Sequence, residues 1–319
     1  MTEREGTMQL QQFFGINPIY SRVIFSMVRK DNLIEDATKI ISEKPKPFIK
    51  WVGGKRQLLK QFREMGLYPP DGFDPIKSTY HEPFVGGGAV FLDLLPKKAV
   101  LSDLNFEMIT TYKVIKSDVE KLIKTLKTYE YSKDFFLKIR SKNSQRLSDV
   151  QIAARFIYLN RTCFNGLYRV NSRGEFNVPF GKYHNPLICD EDNLKKIAKT
   201  LKNVKIYNED YKKVLKRAKK GDFIYFDPPY YPVNRTSNFT GYTVQGFFEK
   251  EQEELRDVFF ELHKRGCFVM LSNSDTPLIN KLYSNLDEKI KVNKVLAGRN
   301  VNSNAKKRGK IKEILVVNY

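Results

Sequence analysis

The sequence predicts an α/β protein built on a largely parallel sheet and interrupted by a mostly helical insertion. From Phe48 onward, short apolar runs end in Gly or Asp and each is followed by a helical stretch, the alternation by which βα units read. Between Lys113 and Thr200 that alternation breaks into Lys-rich and apolar helical patterns. At 319 residues the chain is long for one compact domain and short for three, so a main body with a smaller insertion or appendage is expected.

Residues 1–46 read as an N-terminal extension of unknown role. A Gln-rich start leads to an apolar patch around Tyr20 to Val28, and Leu33 to Ile41 carries apolar residues at helical spacing. Two prolines among the lysines of Lys44-Pro45-Lys46-Pro47 favour an extended connector, which sets a boundary. Residues 47–112 and 201–319 form the sheet domain, with strands predicted at Tyr80 to Val85, Ala99 to Ser102, Val204 to Tyr207, Phe223 to Phe226, Cys267 to Leu271 and Ile311 to Val317. Residues 113–200 form the insertion, with one Lys-rich helix, a second near Val150 to Asn160, and an aromatic segment from Arg161 to Tyr183 that reads as a β-hairpin. The stretch from Arg299 to Lys310 is basic and apolar-poor, and reads as a loop.

Composition excludes several classes. The longest apolar runs are only strand length, so no segment is expected to span a bilayer. Met1 to Gly6 lacks the pattern of a secretory signal, which makes the cytoplasm the expected compartment. Three scattered cysteines and three histidines offer no zinc spacing, so neither metal nor disulfide is expected. The formal net charge of +20 favours a polyanionic partner. Lys and Arg are spread along the chain and mixed with aromatics, which fits nucleic acid better than a membrane surface.

Asp227-Pro228-Pro229-Tyr230 directly follows the apolar run Phe223 to Phe226, placing a carboxylate at the tip of a parallel strand, where open α/β sheets bind ligands. The two prolines remove two backbone donors and leave carbonyls free to accept. An Asp oxygen and a prolyl carbonyl could take both hydrogens of an adenine amino group, raising its nucleophilicity toward a sulfonium methyl, while Tyr230 offers a ring to stack on an extruded base. A plain strand-ending turn is the alternative for so short a motif.

His81-Glu82-Pro83-Phe84-Val85-Gly86-Gly87-Gly88 runs from a strand through three glycines into a helix, so backbone and helix N-terminus can approach a ligand. The third glycine position of the dinucleotide fingerprint is Phe91, which weakens a nicotinamide reading. Asp103 ends the next run, 17 positions after Gly86, where an acid can accept both hydroxyls of a ribose. Trp51-Val52-Gly53-Gly54-Lys55 is not a phosphate loop, since Ile49 and Arg56 stand where glycine and Ser or Thr are needed. The sole Trp and Lys55 instead suit an aromatic wall and a cation for a methionine-like carboxylate, or a staple beneath a helix start. Arg161 to Tyr183 mixes Arg, Asn and aromatics, the residues that read base edges and wedge base steps.

Taken together and in this order, the motifs resemble the Dam-type DNA adenine methyltransferase family in its alpha arrangement. The likeness extends to Leu159-Asn160-Arg161-Thr162-Cys163-Phe164-Asn165-Gly166-Leu167-Tyr168-Arg169, to Gly174 through Gly181, and to Thr236-Ser237-Asn238-Phe239. It implies a Rossmann-like S-adenosylmethionine-dependent sheet with an inserted target-recognition domain, acting on N6 of adenine in double-stranded 5′-GATC by base flipping and direct transfer. By resemblance, Asp227, Pro228, Pro229 and Tyr230 are catalytic. Trp51, Lys55, Glu82, Pro83, Phe84, Gly86, Gly88, Asp103, Asp210 and Asp227 line the S-adenosylmethionine pocket. Phe164 and Asn165 lean on or enter the duplex, Arg169 reads the outer guanine, and Lys182 and Tyr183 contact phosphates. Lys182 replaces an Arg frequent in the family, keeping charge without the bidentate fork.

The resemblance implies a monomer whose partner is duplex DNA. A companion restriction endonuclease, working without a stable complex, and a solitary regulatory methylase both remain open. Methyl transfer to cytosine N4, to RNA or to a protein amide is the nearest rival, disfavoured by Asp227 and by the segment Arg161 to Tyr183. A binding module with a decayed pocket is disfavoured by the joint presence of Asp103, Asp227 and Tyr230.

Overall fold

The computed structural model describes residues 1–14, 18–42, 44–232, 247–298 and 310–319. Helices α1 (Glu3–Phe14), α2 (Pro18–Phe25), α3 (Leu33–Ser42) and α4 (Arg56–Glu64) precede the first strand. Strand β1 (Tyr80–Glu82), α5 (Ala89–Leu94), β2 (Ala99–Asp103) and α6 (Phe106–Ser117) alternate as expected. Helices α7 (Val119–Lys127), α8 (Lys133–Arg140), α9 (Asp149–Thr162) and α10 (Glu191–Leu201) follow. Strands β3 (Val204–Asn208), β4 (Phe223–Phe226), β5 (Phe268–Ser274), β6 (Lys291–Gly298) and β7 (Lys310–Val317) complete the sheet, with α11 (Glu249–Lys264) and α12 (Pro277–Tyr283) among them.

The strands lie in one seven-stranded sheet in the order β3-β2-β1-β4-β5-β7-β6. The first five run parallel. Strand β7 is inserted antiparallel between β5 and β6. Order reverses between β1 and β4, and an α/β sheet opens a ligand crevice at the carboxyl ends of the strands at such a point.

Alternation along the strands sends successive side chains to opposite faces. Phe223, Tyr225, Met270 and Leu315 join the core beneath α4 to α7, α9 and α10. Ile224, Phe226, Val269, Leu271 and Ile314 join a second core beneath α11 and α12. Burial on both faces is why the central strands read as continuous apolar runs. A third, smaller cluster ties α8 and α9 to Phe176 and Val178. Helices α1 to α3 pack on one another around Leu10, Ile24, Leu33 and Ala37. The connector that follows is pinned to α10, where Asn193 exchanges two 2.8 Å hydrogen bonds with the backbone of Lys46.

All six expected strands are present, and the sequence reading missed β6. Its segment Lys291 to Gly298 is a sheet edge with polar and apolar residues interleaved, so it lacks the apolar run of a central strand. The hairpin expected from Arg161 to Tyr183 is reduced to two isolated antiparallel bridges, Cys163 with Phe180 and Val170 with Phe176. Pro179 cannot donate to a ladder, and the turn between the arms is closed by the Asn171 side chain, which accepts from the backbone of Arg173 and Glu175 at 3.0 and 2.9 Å. The Arg299 to Lys310 loop reading falls on residues 299–309, outside the described residues, apart from Lys310, which begins β7.

One ion pair, buried at its arginine end, joins α9 to α6, the helix that follows β2. Arg155 of α9 donates to both oxygens of Glu107 in α6 at 2.9 and 3.1 Å, and to the carbonyls of Ile139 and Arg140 at the end of α8 at 3.2 Å. Arg155→Met should lower unfolding free energy by about 3–5 kcal/mol by leaving Glu107 mostly buried and unpaired. The double variant Arg155→Met/Glu107→Leu should recover most of that loss, as read by denaturant unfolding.

Candidate active site

The first wall of the crevice is the tip of β4. Asp227 leaves the sheet there, and its Oδ1 lies 2.7 Å from Nζ of Lys55. Lys55 is buried, donates to the Gly53 carbonyl at 2.6 Å, and places its ammonium 4.9 Å from the centre of the Tyr230 ring. Burial pushes the Asp227 carboxyl above the ordinary carboxylate range, and the charge and hydrogen bond of Lys55 oppose this only in part.

The loop after Asp227 is held from three elements. Gln252 of α11 donates to the Pro229 carbonyl at 3.1 Å and accepts from Asn273 Nδ2 at 2.9 Å. Asn273 Oδ1 in turn accepts from the Tyr231 amide at 3.2 Å, and Ser274 Oγ donates to the Tyr231 carbonyl at 2.7 Å. Tyr230 donates to Glu313 of β7 at 3.0 Å. Among the described residues no donor reaches the carbonyl of Pro228.

The second wall is the glycine run after β1. Gly86 has φ +47°, and a Cβ there would lie 2.7 Å from Nε1 of Trp51, so the indole sits directly against the backbone. Gly88 has φ +66°, and its Cβ would strike the Tyr112 hydroxyl at 2.5 Å, the same hydroxyl that donates to the Gly86 carbonyl at 3.1 Å. Glu82 is buried beneath this turn, accepting from the Tyr80 hydroxyl at 2.9 Å and the Phe91 amide at 3.0 Å. Burial pushes its carboxyl up to about 8; the Tyr80 hydroxyl opposes this and the charge of Asp227 adds to it.

Asp103, at the tip of β2, accepts from the Gly86 amide at 3.3 Å and the Asn105 amide at 3.0 Å. Burial pushes it up to about 6 against those backbone donors. Asp210 follows β3, the strand beside β2, and caps a short 3-10 turn by accepting from the Lys212 amide at 2.8 Å. Phe84 stacks on Tyr211 of that turn, ring centres 5.2 Å apart. Glu82 to Gly88, Asp103, Asp210 and Asp227 thus follow the carboxyl ends of β1, β2, β3 and β4, and Trp51 and Lys55 reach Gly86 and Asp227 from the turn before α4. A glycine turn packed against an indole, with a partly exposed acid at the next strand tip, fits a nucleoside bearing an amino-acid chain.

The Arg161 to Tyr183 residues stand along one segment. Phe164 is half exposed, Asn165 adopts φ +54°, and Arg169 is exposed with Nε donating to Asn177 Oδ1 at 2.7 Å. Lys182 is exposed, and the Tyr183 ring lies 4.4 Å from the ammonium of Lys50, a residue of the turn that leads to Trp51. Thr236 to Phe239 lie outside the described residues.

Residues 51–297 match the family model described as D12 class N6 adenine-specific DNA methyltransferase. The chain belongs to that family. It is 44% identical over 282 residues to "Type II methyltransferase M1.LlaDCHI" of Lactococcus lactis subsp. cremoris, covering 86% of this chain and 95% of the relative. It is 44% identical over 292 residues to "Type II methyltransferase M.MjaIII" of Methanocaldococcus jannaschii, covering 86% and 99%. The "DNA adenine methylase" of Escherichia coli K12 is 32% identical over 279 residues, covering 86% and 96%. The enzyme is therefore an adenine-specific DNA methyltransferase that uses S-adenosylmethionine, and its substrate is DNA. The seven-stranded sheet is the S-adenosylmethionine-dependent methyltransferase sheet expected from the motifs. Among the described residues, no helix is long and apolar enough to cross a membrane.

Sequence reading missed Gln252, Asn273 and Glu313, which hold the loop after Asp227. The available signal was the polar ending Ser272-Asn273-Ser274 on an otherwise apolar run; the pairing of Gln252 with it has no local trace.

Glu82 yields a pH prediction with a definite sign. A buried carboxyl with a folded value near 8 holds its proton between about pH 4.5 and 8 while the unfolded chain loses it, so this group makes the ligand-free enzyme less stable as pH rises through that window. Glu82→Gln keeps the acceptor without the titration. Its stability relative to wild type should climb from pH 5 to 8 by up to about 1.4 kcal/mol per pH unit. Chemical denaturation across that range reads the slope, and parallel curves for the two proteins would show that Glu82 does not titrate there.

Proposed function

We propose that this enzyme methylates N6 of the adenine in double-stranded 5′-GATC, after rotating the base out of the helix, with Asp227-Pro228-Pro229-Tyr230 as the reacting edge. The observation that carries the chemistry is the Lys55–Asp227 pair at the sheet's switch point. Lys55 favours the charged form of Asp227 in a site where burial raises its carboxyl. An Asp227 oxygen and the Pro228 carbonyl accept the two N6 hydrogens, which takes the nitrogen lone pair out of conjugation with the ring. S-adenosylmethionine supplies the methyl on a sulfonium, a leaving group that departs as a neutral thioether without Lewis-acid help. The nitrogen–carbon bond forms as the carbon–sulfur bond breaks, and the surplus N6 proton is released to solvent. Tyr230 stacks on the base, its ring oriented by Glu313 and Lys55.

In this reading Trp51 and the glycines at 86 and 88 seat the methionine and adenosine portions, Asp103 takes the ribose hydroxyls, and Glu82, Pro83, Phe84 and Asp210 complete the pocket. Residues 113–200 serve as target-recognition domain and residues 1–46 as an accessory extension. Phe164 and Asn165 press on the duplex, Arg169 donates twice to the outer guanine, and Lys182 and Tyr183 hold phosphates. The exposure of Phe164, Arg169 and Lys182 supports this. Specificity for GATC rests on the likeness of Leu159 to Arg169 to Dam-type enzymes. A monomer in the cytoplasm, working with or without a companion endonuclease, completes the proposal.

Two outcomes follow. Lys55→Met removes the cation that lowers Asp227, so the acidic limb of the kcat/KM profile should move to higher pH as activity at neutral pH falls; an unmoved limb would detach Lys55 from the ionisation of Asp227. Arg169→Ala should lose about 1–3 kcal/mol of discrimination at the outer guanine, whereas Lys182→Ala should weaken binding to all duplexes alike. Methylation rates on GATC and its single-base variants decide this. A wild-type enzyme indifferent to GATC would overturn the specificity while leaving the chemistry intact.

A further inference from the structure

The segment assigned to DNA and the turn assigned to the methyl donor are built into each other. Asn160, 1% exposed at the end of α9, accepts from the Lys50 amide at 2.8 Å and donates to the carbonyls of Lys50 and Gly166 at 2.8 and 2.9 Å. Arg161 donates to the Phe48 carbonyl through Nε at 3.1 Å and Nη2 at 2.7 Å. Eight residues beyond Asn160, Tyr168 returns to the same turn, its ring centre 5.9 Å from that of Trp51 and 5.3 Å from that of Phe156. The Tyr168 phenol faces Glu107 in the first turn of α6, Asn105 that caps it, and Asp103 at the end of β2. Trp51 in turn lies against Gly86.

We propose that Tyr168 is a positioning residue that couples engagement of the target duplex to seating of the methyl donor, with the Asn160 clamp as its fixed end. The inference rests on the reading of Arg161 to Tyr183 as the DNA segment. Arg169 has two competing partners under that reading. In the free enzyme its Nε is taken by Asn177 at 2.7 Å, and on the duplex the guanidinium exchanges Asn177 for a guanine edge. That exchange moves the backbone one residue from Tyr168. Asn160 holds the other end of the stretch to Lys50, so the displacement falls on the contact between Tyr168 and Trp51 rather than on the whole turn. Binding on either side then biases the same packed aromatic pair, and the effect must be reciprocal: the duplex tightens the donor as much as the donor tightens the duplex.

Trp51 is the only tryptophan of the chain, so its emission reports on this contact directly. The test measures affinity for S-adenosylhomocysteine, which binds without turnover, by calorimetry with and without a GATC duplex, in wild type, Tyr168→Phe and Tyr168→Ala. Wild type should bind at least about fivefold tighter with the duplex present. Tyr168→Phe should keep that ratio, because the ring remains. Tyr168→Ala should bring it to about one, its affinity with duplex falling to the level it shows without DNA. Trp51 emission should change on adding duplex alone to wild type and not to Tyr168→Ala. A ratio retained in Tyr168→Ala, a wild-type ratio near one, or an equal loss with and without duplex would overturn the coupling. The underlying reading fails separately, if Arg169→Ala and wild type bind GATC and scrambled duplexes without distinction.

Discussion

The candidate site depends on an ion pair, Lys55 with Asp227, at the tip of a buried strand. Asp227 sits where burial favours the neutral acid, and an unpaired ion there would cost several kcal/mol. Lys55 makes the position tenable, yet Lys55 is itself buried and must be satisfied on every side. Asp227, the Gly53 carbonyl and the face of Tyr230 together do so. One ion pair therefore ties the turn before α4, the end of β4 and the aromatic that follows it. Glu82, buried under the adjoining glycine run, completes the balance, since the charge of Asp227 helps hold its proton in place.

The loop that presents Asp227 has two prolines and so few donors of its own, and its rigidity is borrowed from neighbours. Gln252 and Asn273 form a buried amide pair whose outer atoms reach Pro229 and Tyr231. Such a network constrains the loop because every member is satisfied. Among the described residues it occupies the Pro229 carbonyl and not that of Pro228, the acceptor assigned to the base in the proposed mechanism.

The legibility of this enzyme in its sequence follows burial. Central strands such as Phe223 to Phe226 are buried on both faces and so announce themselves as apolar runs closed by Gly or Asp. The residues at their tips, Asp103 and Asp227, could be placed because topology fixes where a strand end points. Strand β6 was hidden because an edge strand has no such run. The arms of Arg161 to Tyr183 carried alternation without a ladder, since Gly166, Gly174 and Pro179 interrupt them and Tyr168, Phe176 and Phe180 pack with α8 and α9 instead. Gln252 and Asn273 meet across 21 positions of chain, a distance over which periodicity says nothing.

A seven-stranded sheet that does not close has two open edges, here β3 and β6. Unpaired edges invite strands of other molecules, and the inner runs Phe268 to Leu271 and Ile314 to Val317 are the kind of sequence that stacks once exposed. Strand β3 carries Lys205 and β6 carries Lys291 and Lys294, the last with an exposed side chain reaching Asp275 at 3.2 Å. Adding a further strand to either border would bring a lysine against the incoming backbone and strip it of water. Strand β6, which has no apolar run to announce it, thus also acts as a cover, keeping the greasy middle of the sheet away from other copies of the chain in a crowded solution.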